Sequence, residues 1–319
     1  MDRINSHAEN RMREARTIFI LALILSLAPF GRGATGAEAR SPGEAQARRI
    51  VSIGGAVTEI LFALGLGDRV IAVDQTSTYP AAARARPNVG YARTLTPEGV
   101  LSVGPDLILA IEGSGPPEAL AVLKSAAVPV VMIPDGHDAA GVIRKVEAVA
   151  EAVGAGEAGA RLAAALKADF AQVADGVARQ PGRPRAAFVL SASGGTAVVG
   201  GAETSADAML RLAGAQNALS AIRGYKPAVD EAAFAADPQA VVVMSGAGQV
   251  LTASMIFALP AFAGTTAARE NRFIALPGSY LLGFGPRTPQ AVRDLALALR
   301  PGATLAPLPP RPWADEAMP

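Results

Sequence analysis

The sequence predicts an α/β protein of two Rossmann-like lobes with parallel sheets, joined by one long α-helix. Short apolar runs of strand length alternate with helical stretches, the pattern left by strands connected through crossover helices. An Ala-rich amphipathic stretch without proline, at 138–180, divides this alternation in two. The two halves also echo each other. Glu98 stands seven residues before Pro105 and Glu231 seven before Pro238, each with a short helix between and a buried strand after. The glycine pairs Gly54-Gly55 and Gly200-Gly201 each open a helix. A length of 319 residues suits two lobes, and a 50% hydrophobic content can fill their cores.

From the N-terminus, Arg11, Arg13 and Arg16 precede an apolar run at 18–30 and a small-residue exit, with cleavage expected after Ala37. Residues 1–37 therefore read as a secretory signal; the run is shorter than the roughly 20 apolar residues of a spanning helix. Its removal takes away five basic and three acidic groups and turns a net charge of +1 into −1. The first lobe is expected at 49–137, with strands at 49–53, 70–73, 107–111 and 128–133. Its helices fall at 57–64, stopped by Gly65 and Gly67, and at 117–126. The connector at 138–180 keeps helical spacing through Val142, Val146, Val149 and Val153, then Leu162, Leu166, Phe170 and Val173, with a bend allowed at 154–159. The second lobe, 185–300, carries strands at 186–190, 241–244 and 272–276. A helix at 205–212 ends at Gly214, and a closing helix spans 286–299. The Pro-rich tail, 301–319, reads as extended.

Composition removes whole classes of function. No basic stripe is visible, so no nucleic-acid partner is expected. With no cysteine there are no disulfides, zinc–thiolate sites, Fe–S clusters, cysteine nucleophile or lipidated cysteine. Two histidines exclude a three-His metal site. A hydrolase using Ser193 and His137 would lack the G-x-S-x-G elbow. The glycine pairs lack both the G-x-G-x-x-G spacing and the P-loop Lys-Ser/Thr, and read as tight strand-to-helix turns.

The run Asp74-Gln75-Thr76-Ser77-Thr78-Tyr79-Pro80 follows a strand, at the carboxyl sheet edge where open α/β folds bind ligands. Pro80 holds Tyr79 extended, which can aim its phenol outward, and Arg93 lies in the nearby stretch GYAR. A Tyr–Arg pair offers phenolate to a ferric ion and guanidinium to an anion. On pattern alone, a half-buried packing tyrosine explains Tyr79 as well.

The stretch RIVSIGGAVTEILFALGLGDRVIAVDQTSTYPAAARARPNVGYARTLTPEGVLSVGPDLILA resembles the N-terminal lobe of periplasmic haemin-binding proteins of bacterial haem ABC importers. GGTAVVGGAETSADAMLRLAGAQNA and LLGFGPRTPQAV resemble their C-terminal lobe, so the similarity runs over about 49–299. The Glu-x₆-Pro frame and the Tyr-Pro step also occur in cobalamin and ferric-siderophore relatives, which remain alternatives, as does an exported hydrolase. The resemblance implies a periplasmic monomer, not an enzyme, that hinges little and carries ferric haem b between its lobes. It implies Tyr79 as axial ligand, phenolate being a hard donor that favours Fe(III). It assigns Glu98 and Glu231, one per lobe, to docking on a dimeric inner-membrane permease, where paired charges set orientation. Each glutamate also fits an ordinary helix N-terminus. Candidates for a second axial ligand are His137, Tyr225 and Met255; for propionate pairing, Arg93, Arg223, Lys226 and Arg287; for an apolar wall, Leu281 and Phe284.

Overall fold

The computed structural model describes residues 47–246 and 250–314. The expected secretory signal, 1–37, lies outside the described residues. Among those described, no helix is long and apolar enough to cross a membrane.

The first lobe runs β1 (Ile50–Ile53), α1 (Gly55–Ala63), β2 (Val70–Val73), α2 (Ala81–Arg84), α3 (Pro97–Leu101), β3 (Leu107–Ile111), α4 (Pro117–Ser125) and β4 (Val130–Ile133). All four strands are parallel, in the order β2-β1-β3-β4. β1 is buried at every position, as expected of a strand covered by helices on both faces. The chain leaves β1 toward β2 on one side and returns to β3 on the other, which creates the switch point where such sheets open a crevice. Gly54 makes the turn out of β1 at φ 110°, and a Cβ there would lie 2.8 Å from Ile111.

The connector is not one helix but two. α5 (Ala139–Ala152) is capped by Asp138, whose carboxylate accepts the Gly141 N–H. The chain breaks at Gly154, φ 67°, and resumes as α6 (Gly156–Ala178). Gly159 lets the pair approach closely, since a Cβ there would fall 2.3 Å from that of Ala150. The bend allowed at 154–159 is thus a helix end, a left-handed glycine being a common helix stop. α6 alone has 23 residues and is about 34 Å long.

The second lobe comprises β5 (Arg185–Ser193), β6 (Thr196–Gly200), α7 (Ser205–Leu212), β7 (Gln216–Asn217), β8 (Tyr225–Pro227), α8 (Asp230–Ala235), β9 (Ala240–Ser245), α9 (Ala253–Phe257), α10 (Thr266–Arg269), β10 (Phe273–Pro277), α11 (Gly278–Leu282) and α12 (Thr288–Leu299). Strands β10, β9, β5 and β7 pair in parallel. β6 and β8 extend the sheet antiparallel, beyond the parallel set foreseen. The β5–β6 hairpin turns on Gly194 and Gly195, both with positive φ, which suits a tight two-residue turn.

One core runs through both lobes. It joins Ile60 and Leu61 of α1 to Val142 and Val146 of α5, Leu162, Leu166 and Phe170 of α6, and Leu295 and Leu299 of α12. Separate clusters fill the far face of each sheet.

Candidate functional site

The loop after β2 is built around Asp74, whose side chain is buried. Its carboxylate accepts hydrogen bonds from the Gly54 N–H (2.8 Å), the Thr76 N–H (3.0 Å), the Thr76 hydroxyl (2.8 Å) and the Ser77 hydroxyl (2.8 Å). A carboxylate can accept several donors at once, so one side chain fixes the loop and ties the ends of β1 and β2 together. A buried hydroxyl chain, Ser52–Thr58–Ser77 with 2.7 Å steps, braces it from below. Tyr79 follows on this frame.

Tyr79 points inward, not outward: only 6% of it is exposed. The guanidinium carbon of Arg287 lies 3.5 Å from its ring centroid. Its hydroxyl donates to the Trp313 carbonyl at 3.2 Å. Its hydroxyl thus meets a backbone group, as a buried tyrosine's hydroxyl usually does.

The carboxyl edges of the two sheets bring their loops together around this tyrosine. Thr78, after β2, exchanges a 2.7 Å hydrogen bond with Ser279 of α11, after β10. Glu59 of α1 and Arg287, just before α12, form a bidentate pair at 3.0 and 2.6 Å, each side chain 5% exposed. Arg287 is thus spent on a buried tie between lobes rather than presented to a propionate. Lys145 of α5, also buried, donates to Asp135 (2.8 Å) and to the Phe284 carbonyl of the other lobe (3.3 Å). Burial acts to raise the Asp135 pKa, but the hydrogen bond to His137 and the Lys145 charge prevail and hold it well below the usual carboxylate range. His137 stands 3.4 Å from Asp135 and 5.0 Å, centroid to centroid, from the Phe284 ring, so it does reach the junction of the lobes. Phe284 and Leu281 are buried core residues.

The other candidates lie elsewhere. Arg93 is exposed and bonds the Tyr91 hydroxyl at 3.0 Å. Tyr225 is half-exposed on β8, its hydroxyl shared with the Ser205 hydroxyl (2.8 Å) and the Ala206 N–H (3.3 Å) at the start of α7. Lys226 is exposed beside it, Arg223 pairs with Glu203, and Met255 is exposed on α9. Ser193 sits at the β5–β6 hairpin, whereas the polar partner described for His137 is Asp135. Glu98 and Glu231 are both exposed, in the first turns of α3 and α8, where the helix dipole favours them.

Sequence reasoning missed the buried charges Glu59, Lys145 and Asp169. Two had a visible signal. Lys145 lies three residues after Val142 and four before Val149, and Asp169 relates in the same way to Leu166 and Val173, so both charges stand on apolar stripes. A charge in a core position requires a partner.

A family model described as periplasmic binding protein matches residues 50–280. Among solved structures, the periplasmic heme-binding protein BhuT in complex with two hemes is 42% identical with a TM-score of 0.75, over 79% of this chain and 97% of that one. The apo periplasmic heme-binding protein RhuT from Roseiflexus sp. RS-1 is 38% identical with a TM-score of 0.76, over 79% and 98%. An uncharacterized ABC transporter substrate-binding lipoprotein, YvrC of Bacillus subtilis (strain 168), is 27% identical over 257 residues, 80% of each chain.

Proposed function

The chain belongs to the periplasmic binding protein family, and on that footing we propose that it is the haem-binding component of an ABC importer. It takes ferric haem b into the crevice between its lobes, with the Tyr79 phenolate as axial ligand. The observation that carries this reading is the placement of Tyr79. It stands on a loop made rigid by Asp74, at the carboxyl edge of one sheet and facing the loops of the other. Similarity to two heme-binding proteins, at 42% and 38% identity, supports the choice of cargo.

The residues divide the work by charge and position. Phenolate is a hard anionic donor and suits Fe(III). Arg287 lies on the ring face of Tyr79 and is held there by Glu59, so it orients the phenol rather than neutralising a propionate. His137, which reaches the lobe junction, is the candidate for a second axial ligand. Glu98 and Glu231 present one carboxylate per lobe to basic residues of a permease dimer, which gives orientation and on-rate more than affinity. The protein works as a periplasmic monomer and performs no chemistry on its cargo.

Titration with ferric haemin tests the reading. Wild type should bind one equivalent with the charge-transfer band of an iron phenolate. Tyr79→Phe should lose that band and weaken binding by at least the roughly 10–100-fold that even outer-shell changes cost at metal sites. An unchanged spectrum and affinity in Tyr79→Phe would remove Tyr79 from the iron.

A further inference from the structure

The segment after α12 docks on the body of the protein. Between 301 and 314 it carries five prolines, Pro301, Pro307, Pro309, Pro310 and Pro312. Proline fixes an extended backbone, so little conformational freedom is lost when such a segment docks. It runs antiparallel along α6. Gln180 donates to the Thr304 carbonyl (3.1 Å) and Gln172 to that of Pro307 (2.8 Å). Arg293 of α12 donates to the carbonyls of Leu305 (3.2 Å) and Ala306 (3.1 Å). Leu305, Leu308 and Trp313 pack against the common core. The pin is Arg311, which grips Asp169 bidentately at 2.6 and 3.0 Å; Asp169 is 1% exposed and faces out of the apolar stripe of α6. Two residues on, the Trp313 carbonyl takes the hydrogen bond of the Tyr79 hydroxyl.

We propose that residues 301–314 form a strap that holds the Tyr79 phenol and must let go at Trp313 before haem iron can reach it. This inference rests on Tyr79 being the axial ligand. Its physical basis is an exclusion. A phenol can donate to the Trp313 carbonyl only while it keeps its proton. On ligation that proton leaves with the aqua or hydroxo ligand released from the ferric ion, and an Fe–O bond forms in its place. The phenolate and the carbonyl are then two acceptors facing each other, and the contact turns repulsive. Strap docking and iron ligation therefore compete, and the apparent affinity falls by the fraction of molecules with the strap released.

Two measurements on the full chain test this. Arg311→Ala removes the pin without touching Tyr79, and stopped-flow mixing with haemin should then show association faster by about tenfold, the factor expected if one molecule in ten has its strap released at rest. Trp313→Ala, which removes the packed indole, should act in the same direction. Trp313 is the sole tryptophan in the sequence, so 5-fluorotryptophan labelling yields a single fluorine resonance. Diamagnetic gallium(III) protoporphyrin IX should move that resonance toward the solvent-exposed position. Haemin association unchanged in both variants, or a fluorine resonance unmoved at saturation, overturns the strap. Failure of the underlying assignment looks different: wild type itself would then lack the phenolate band.

Discussion

The buried pair between Glu59 and Arg287 offers the sharpest test of how the lobes are held. Replacing Arg287 by Met keeps the volume but leaves the Glu59 carboxylate, 5% exposed, without its two donors at 3.0 and 2.6 Å. Breaking such a pair from one side costs about 3–5 kcal/mol, because an uncompensated charge stays buried. At roughly 2–4 °C per kcal/mol for a domain of this size, the melting point should fall by roughly 6–20 °C. The double substitution Glu59→Leu with Arg287→Met removes both charges and should recover most of that loss. It should remain about 0.5–2 kcal/mol below wild type, since the cation over the Tyr79 ring is still missing. Urea unfolding followed by far-UV circular dichroism at neutral pH gives all three values, with the slope required to stay constant. A loss under about 1 kcal/mol in Arg287→Met, or a double variant no more stable than Arg287→Met alone, would refute the reasoning.

Other perturbations read other parts of the molecule. The Asp135 carboxyl is held below its ordinary value, so its stabilisation is complete above about pH 4 and drains away as the pH falls from there toward the depressed value. Asp135→Asn should accordingly be less stable than wild type at pH 7, with the gap closing in acid; a gap independent of pH contradicts the assignment. Gly201→Ala places a Cβ 2.2 Å from the Ile222 carbonyl oxygen, a backbone atom, and should cost about 1–3 kcal/mol in a thermal melt. Glu98→Ala and Glu231→Ala lie on the surface and should leave stability within about 0.5 kcal/mol. Haem binding should also be unchanged while uptake through the reconstituted transporter falls, and unimpaired uptake in the double variant would end their docking role.

How much of this was legible in the residues depends on distance along the chain. Strands β1 and β3 stand out because burial on both faces makes each a nearly continuous apolar run. β6 and β8 escaped notice, being short or near the sheet edge, although Ser193-Gly194-Gly195-Thr196 carries a hairpin signal. The loop carrying Tyr79 was legible from its place after a strand. Its inward orientation was not, because the covering groups come from remote parts of the chain: Arg287 meets Glu59 across 228 positions and Trp313 meets Tyr79 across 234. Local pattern does not encode such pairs. It does expose the need for them, as the charges at Lys145 and Asp169 on apolar stripes illustrate.

The shared core has a consequence for how cargo size is chosen. Because the apolar stripe of α6 belongs to the same packed interior as both lobes, swinging the jaws wide would wet that interior along the spine. The molecule is thus a calliper with its screw tightened: the gap is preset, and adjustment falls to the rim loops. New cargo can then be accommodated by rewriting a few positions after the strand ends, while the frame that a transporter must recognise keeps its span.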